Sequence, residues 1–299
     1  MPPFEDDGKS EDSERNRVGR KPSYTILMEE RRPLGGLMQT FPPALAIAGA
    51  IATLSGFQLV GDAATIEYVS SRVGEQRPVR LSDGSVITLN TDSLIKMNVD
   101  GPALHVEVLR GEVLFNMLPN PQRHLVVSVK DLEIFDTATI FSVRLVDDGQ
   151  IRVTVEEGEV RLSHGNLRQV PLAHNQQAVS DERAGRLELK KGLDPRAIER
   201  QLAWQEGRLI FVCEPLSQVA QEFNRYNLTK LEVDPLLANV QVGGEFSATD
   251  VMGFVDLMPR LDEGIRWEHA SRGKGSATLR LYRIPGVTPA SQHLKPCQS

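Results

Sequence analysis

The sequence has 299 residues, of which 40% are hydrophobic and 25% are charged, and its formal net charge is -6. This length is sufficient for two domains of ordinary size. The hydrophobic fraction excludes a chain that is disordered throughout, and the mean hydropathy of -0.26 excludes a membrane protein with many spans. The chain is mildly acidic and has no dense basic cluster outside its N-terminal segment, so no nucleic-acid partner is predicted.

The first sixty residues divide into a polar tail and an apolar segment. The first twenty of residues 1–40 include six acidic residues and almost no apolar ones, which predicts a largely disordered tail. Residues 41–60 carry no charge and are long enough for one transmembrane helix. Arg31 and Arg32 precede this segment, so we expect a cytoplasmic N-terminus and a periplasmic C-terminus in a single-pass inner-membrane protein. A cleaved signal peptide and a buried soluble helix are the alternatives.

Residues 61–183 have the pattern of an all-β domain. Apolar and polar residues alternate in short runs, most clearly over 151–155, as in half-buried strands. Turn pairs such as Asp83-Gly84 and Glu157-Gly158 separate these runs at short intervals. About ten short strands at this spacing predict a sandwich or a β-roll.

A small α+β domain is predicted after a linker. Residues 184–204 contain a charged link and then a helix, with Asp194 as its N-cap and Pro195 in its first turn. Residues 205–284 alternate strand and helix as a β-α-β repeat, and residues 285–299 form a flexible tail. Ser247 and Thr249 are candidate caps of the last helix. The apolar faces of the two helices consist of Leu216, Val219, Ala220 and Phe223, and of Val251, Phe254, Val255 and Met258.

The sequence contains no motif of a known catalytic site. Its six histidines lack metal-ligand spacing, and no phosphate-binding loop, dinucleotide fingerprint or nucleophile elbow is present. We therefore predict no enzyme, no metal and no cofactor. The two cysteines, Cys213 and Cys297, are too few for a disulfide framework; they either pair with each other or stay free.

Six stretches of the chain resemble a known family. Residues 75–93 (EQRPVRLSDGSVITLNTDS), 109–115 (LRGEVLF) and 153–160 (VTVEEGEV) are similar to the periplasmic domain of FecR-type regulators. Residues 204–211 (WQEGRLIF), 215–216 (PL) and 223–226 (FNRY) are similar to the C-terminal region of that family, which resembles the short domain of secretins and TonB-dependent receptors.

The resemblance implies a signal relay. The periplasmic part would contact the signalling domain of a TonB-dependent receptor, and the cytoplasmic part would control an extracytoplasmic-function (ECF) sigma factor. An envelope scaffold that uses both domains for protein contacts is the alternative. The residues that match the C-terminal motif, and that are therefore candidates for partner binding, are Trp204, Leu209, Phe211, Leu216, Phe223 and Tyr226.

Two features depart from the family. Only about forty residues precede the predicted span and none is Trp, so an ordinary anti-sigma domain is not expected; residues 23–37 could instead fold on the partner. Some members also cleave themselves at a Gly-Thr step, where the Thr hydroxyl attacks the preceding carbonyl. The equivalent step here is Ala138-Thr139, which keeps the nucleophile but lacks the permissive glycine, so we expect an intact chain.

Overall fold

The computed structural model describes residues 65–99, 103–120, 123–136, 138–146, 149–165, 169–181, 185–270 and 277–287. All of them belong to one compact unit, Val60–Ser299. No helix within these ranges is both long and apolar enough to cross a membrane. The predicted tail at 1–40, the predicted span at 41–60 and most of the predicted tail at 285–299 lie outside the described residues.

The described residues up to Lys190 form fourteen strands, more than the ten expected. In chain order they are β1 (Ile66–Ser70), β2 (Arg77–Arg80), β3 (Val86–Leu89), β4 (Leu94–Asn98), β5 (Ala103–Arg110), β6 (Glu112–Asn116), β7 (His124–Val129), β8 (Leu132–Asp136), β9 (Ile140–Leu145), β10 (Gln150–Glu157), β11 (Glu159–His164), β12 (Val170–Ala173), β13 (Gln176–Asp181) and β14 (Arg186–Lys190).

These strands pair into two seven-stranded sheets. The order is β1-β4-β5-β7-β8-β11-β12 in the first sheet and β14-β13-β10-β9-β6-β3-β2 in the second. Neighbouring strands are antiparallel except β5 and β7, which are parallel. The inner faces of both sheets share one apolar core, in which the rings of Phe115 and Phe141 stack with centroids 4.9 Å apart. The architecture is therefore a β-sandwich, one of the two predicted forms.

The sandwich extends further along the chain than the sequence indicated. The boundary predicted at residue 183 is wrong, because Arg186–Lys190 pairs with β13 as an edge strand. Only alternate side chains of β14 are half-buried, namely Leu187 and Leu189, and the others are exposed and charged. An edge strand with so few apolar residues resembles a charged linker in sequence.

Strands and helices alternate after β14. The elements are α1 (Pro195–Leu202), a 3-10 turn (Ala203–Glu206), β15 (Arg208–Pro215), α2 (Leu216–Tyr226), β16 (Lys230–Val233), a second 3-10 turn (Pro235–Leu237), β17 (Gln241–Ser247), α3 (Val251–Leu261), β18 (Ile265–Ala270) and β19 (Thr278–Arg283). We refer to residues 195–283 as the C-terminal domain. Strands β15 and β17 form one sheet, and β16, β19 and β18 form another.

The helix caps follow ordinary chemistry. Asp194 caps α1 as predicted, since its side chain accepts a hydrogen bond from the Arg196 N–H. The cap of α3 is Asp250, whose side chain accepts from the Gly253 N–H, so the choice of Ser247 or Thr249 was wrong. The apolar faces predicted for α2 and α3 are buried against the strands.

Candidate functional site

The C-terminal domain packs on the outer face of the second sheet. Leu114 on β6 belongs to the apolar core of the C-terminal domain, and Ile140 on β9 packs against that core. Alongside them, the Gln177 side-chain amide on β13 donates a 2.8 Å hydrogen bond to Gln201 on α1. These contacts cover part of a sheet face that would otherwise be in water, so outward-pointing polar residues there must find partners.

Four charged side chains meet at this interface. Glu112 on β6 and Arg144 on β9 are directly opposite each other in the second sheet, while Glu222 and Arg225 lie three residues apart on α2. Arg225 Nη2 is 2.9 Å from Glu112 Oε2, and Arg144 Nη2 is 2.8 Å from Glu222 Oε2. Arg225 also pairs with Glu222. Each domain therefore supplies one cation and one anion to the other.

A hydrogen-bond network surrounds the Glu112–Arg225 pair. The side-chain amide of Asn90, which is fully buried, donates to Glu112 Oε2 at 2.9 Å and to the Tyr226 hydroxyl at 2.7 Å. The Thr91 hydroxyl donates to the Arg225 carbonyl oxygen at 2.9 Å. We call Asn90, Glu112, Arg144, Glu222, Arg225 and Tyr226 the interdomain cluster. Its members are hydrogen-bond or ion-pair partners of one another, which buried polar groups require.

Burial and the neighbouring charges shift the pKa values of three cluster members, Glu222, Arg225 and Tyr226. Burial alone would raise the pKa of Glu222, but Arg225 and Arg144 hold it below its ordinary value. Burial opposes the charge of Arg225, yet Glu112 and Glu222 raise the pKa of that guanidinium. Burial and Glu112 raise the pKa of the Tyr226 hydroxyl well above its ordinary value. At neutral pH the Glu222 carboxylate and the Arg225 guanidinium are therefore ionised, and the Tyr226 phenol is neutral.

Arg152 adds a further cation beside the cluster. It lies on β10 directly opposite Arg144, a like-charge pairing that is unfavourable across strands. Burial and Arg144 together lower the pKa of Arg152. Its buried Nε has no hydrogen-bond partner among the described residues. Glu112 and Glu222 oppose this lowering, because both place negative charge close to the arginine pair.

An open cleft of about 500 Å³ lies next to the cluster, and both domains line it. Arg225 forms part of its wall, together with Arg110 and Asp92 from the sandwich and Lys230 from the C-terminal domain. The Arg110–Asp92 ion pair, 2.8 Å long, is about half exposed on both sides. The cleft gives solvent, or a partner, access to the seam between the domains.

The residues predicted to bind a partner are core residues in this structure. The exposed fractions of Trp204, Leu209, Phe211, Leu216, Phe223 and Tyr226 all lie between 0 and 8%, and the six share one apolar cluster. Five of them offer no free surface. Tyr226 differs, because its hydroxyl enters the interdomain cluster.

The candidate cleavage step lies in the connection between β8 and β9. Thr139 is buried, and its hydroxyl donates to the Asp136 carboxylate and contacts the Glu159 carbonyl oxygen at 3.1 Å. Gly158, with φ of 85°, packs so closely that a Cβ there would lie 3.0 Å from the Ala138 carbonyl oxygen. The hydroxyl thus has a structural hydrogen-bonding role in this conformation.

The sequence analysis did not single out the charged members of the cluster. A signal was nevertheless present for four of the six members, because Asn90, Glu112, Arg225 and Tyr226 all fall within stretches that carry the family resemblance, although only Tyr226 was named as a candidate. Arg144 and Glu222 lie outside those stretches and had no such signal. Within the described residues, no group of three or more His, Cys, Asp or Glu side chains could hold a metal ion.

Comparison with known proteins identifies the sandwich. The family described as FecR protein matches residues 67–161. Two crystal structures of a candidate anti-sigma factor from Parabacteroides distasonis, at 1.65 and 2.50 Å resolution, share the fold with a TM-score of 0.57 and 22% sequence identity. The match covers 74% of this chain and 100% of the chain in the 2.50 Å structure, and 73% and 99% for the other. No curated protein sequence matches. The match to the FecR family is therefore to one part of the sandwich, residues 67–161.

Proposed function

We propose that this protein is a membrane-anchored regulator of an ECF sigma factor that receives its signal through the C-terminal domain in the periplasm. Three observations support the proposal. The chain carries a FecR domain, the fold is shared with a protein described as a candidate anti-sigma factor, and an apolar segment at 41–60 precedes the folded unit. The fold likeness alone carries no function, so the proposal depends on the domain match.

The interdomain cluster offers a route by which a signal could pass from the C-terminal domain to the sandwich. Asn90 and Glu112 come from two FecR-like stretches, and Arg225 and Tyr226 come from the C-terminal motif. A force or a ligand that acts on α2 therefore acts on charges that are bonded to β6 and β9 of the FecR domain. Such reciprocal ion pairs give a specific seam whose separation leaves buried charges unpaired.

The partner outside the cytoplasm is proposed to be the signalling domain of a TonB-dependent receptor. Because the six motif residues are core residues, their part in binding would be to hold the shape of the C-terminal domain. Contact with the receptor would then use exposed backbone and side chains, by strand addition at β17 or by helix packing. Val212 on β15 and Met252 on α3 are exposed apolar residues of this domain.

Inside the cytoplasm, the sigma factor would meet residues 1–40. These residues lie outside the described residues. The first twenty of them are rich in charged side chains and almost free of apolar ones, which suits a segment that folds only on its partner. Residues 23–37 are the part that we assign to this contact.

The test measures transcription and topology in the same cells. Alkaline phosphatase is fused as a reporter to the C-terminus of the full chain, and this reporter should be active outside the cytoplasm. Deletion of residues 205–284 should change expression of the adjacent receptor gene several-fold, whereas Arg186→Met, an exposed change on β14, should leave expression unaltered. Unchanged transcription after the deletion, together with co-purification with an envelope complex, would favour the scaffold instead. A reporter that is active only in the cytosol would overturn the proposed topology.

A further inference from the structure

Arg152 lies on the outer face of the second sheet, at the seam between the two domains. It shares this face of β10 with Thr154, because side chains two residues apart on a strand point the same way. The Thr154 hydroxyl donates to the Gln201 side chain on α1 at 3.3 Å. Directly opposite Arg152, Arg144 pairs with Glu222 of α2. Arg152 is therefore next to the points at which α1 and α2 contact the sheet.

The guanidinium of Arg152 has no partner in the part of the chain that the structure describes. Neither a hydrogen bond nor an ion pair to it is formed there, and its Nε is buried. The side chain as a whole keeps partial exposure to solvent. Arginine presents a planar fork of N–H donors, and a buried donor without an acceptor is costly. The position therefore calls for an acceptor that these residues do not supply.

The charges around Arg152 leave one positive charge uncompensated. Arg144 and Arg225 act on it as cations, and Glu112 and Glu222 act on it as anions. These four side chains pair with one another, so the charge of Arg152 is left over. A partly buried cation beside a second arginine is unfavourable until an anion neutralises it.

We propose that the seam binds a small oxyanion, the carboxylate or phosphate group of a free small molecule, against the guanidinium of Arg152. A planar guanidinium matches such a group with two parallel hydrogen bonds. Arg144 adds attraction from the opposite position, although both of its Nη atoms already bond to Glu222. A free small anion is favoured over the acidic side chain of a folded partner, because the Nε of Arg152 is buried in a seam that the C-terminal domain already covers in part.

Binding of the anion would favour the docked arrangement of the two domains. In an isolated sandwich this sheet face would be in water, and Arg152 would be hydrated. Docking of the C-terminal domain removes part of that water, so the anion compensates a penalty that only the docked arrangement has. A ligand that binds one arrangement more tightly shifts the population toward it. The site consists of side chains of the folded unit and does not depend on the proposed membrane topology.

Thermal unfolding of the full-length chain in a non-ionic detergent tests the site. Inorganic phosphate and succinate are the probes, and sodium chloride keeps the ionic strength constant. At a concentration about ten times its Kd, a bound probe should raise the melting temperature by roughly 3–6 °C. A rise with only one probe supports the site and selects the ligand group. No rise with either probe, or an equal rise with chloride alone, would overturn the inference.

Variants of Arg152 provide the matched controls. Arg152→Met should lose the response and, without a probe, should melt no lower than the wild type, because it removes an uncompensated charge. Arg152→Lys keeps the charge without the fork, so its response should be smaller. Arg161→Met changes an exposed arginine on β11 of the first sheet and should respond fully. A full response in Arg152→Met, or a melting temperature several degrees lower without a probe, would contradict the proposal.

Chemical modification locates the bound anion. Phenylglyoxal modifies accessible guanidinium groups, and mass spectra of peptide fragments give the rate at each arginine. Inorganic phosphate or succinate should slow modification of Arg152 several-fold and leave that of Arg161 unchanged. Protection of Arg110, which lines the open cleft, with none at Arg152 would place the anion in the cleft and refute the site. Protection of Arg152 by a glutamate-rich peptide but by neither small anion would refute a free small molecule as the ligand.

Discussion

Arg225 of α2 and Glu112 of β6 are 113 positions apart in the sequence and form an ion pair of 2.9 Å across the domain seam. The Glu112 side chain is only 5% exposed and that of Arg225 is 19% exposed, so water screens this contact weakly. A buried pair of this kind adds little net stability compared with an apolar pair, but it is costly to break from one side. This makes it a specific connection between the domains.

Replacing Arg225 with Met should lower the free energy of unfolding by about 3–5 kcal/mol, because the buried Glu112 would lose its paired cation, while Glu222 would keep only Arg144. Denaturant unfolding of the full-length chain in detergent measures the loss. The double variant Arg225→Met with Glu112→Leu should lose less than the sum of the single changes. Arg186→Met is the control, since Arg186 is 72% exposed in its pair with Glu188 and should cost less than about 0.5 kcal/mol. A loss below about 1 kcal/mol for Arg225→Met would contradict the buried pairing.

Replacing Asn90 with Ala should cost about 2–3 kcal/mol, since the Glu112 carboxylate and the Tyr226 hydroxyl would each lose a buried hydrogen bond. Tyr226→Phe removes one of these bonds while keeping the ring in the core, so it should cost only about 1 kcal/mol. The same unfolding measurement compares the two. Equal losses would mean that Asn90 acts through Tyr226 alone and that its bond to Glu112 is immaterial.

Acid should weaken the protein through Glu222. The folded-state pKa of this carboxyl is below its ordinary value of 4.5, so its ionised form contributes stability above pH 4.5, and that stability is lost as the pH falls toward the folded-state pKa. The free energy of unfolding of the wild type should therefore fall between pH 5 and pH 3 more steeply than that of Glu222→Gln. Glu188→Gln controls for the change in net charge. If the free energy of unfolding changes with pH in the same way for the wild type and for Glu222→Gln, the loss of stability in acid does not come from Glu222.

The chain should remain uncleaved at Ala138-Thr139. Immunoblots with tags at both ends should give one full-length band, both for the wild type and for Thr139→Val. The valine variant keeps the side-chain shape but leaves the Asp136 carboxylate without its hydroxyl donor, so a stability loss of about 1–2 kcal/mol is expected. Two wild-type fragments that merge into full length in Thr139→Val would instead establish self-cleavage.

Local patterns in the sequence predicted local structure well. The apolar spacing of α2 identified its buried face, and Asp194 was recognised as a cap, because both depend on residues within one or two helical turns. The edge strand β14 was taken for a linker, because an edge needs few apolar side chains. Asp250 was missed because three neighbouring polar residues could all cap α3, and only backbone geometry selects among them.

The candidate site was predicted less well. Trp204 and Phe223 were assigned to partner binding because they match a family motif, but a motif records that a residue is needed without saying whether it is needed for packing or for contact. The charges that join the domains have partners far away in sequence. Glu222 and Arg144, 78 positions apart, look in sequence like ordinary surface residues of a helix and a strand.

By itself the sequence determined the β-rich FecR domain, the alternating strands and helices that follow it, and which faces of α2 and α3 turn inward. Those features follow from the periods of the strand and the helix, which are visible in the spacing of apolar residues along the chain. Only the tertiary structure decided that the C-terminal domain covers the outer face of the second sheet, and that Glu112, Arg144, Glu222 and Arg225 neutralise one another there. Charge pairing depends on distance in space, and the fold alone sets that distance.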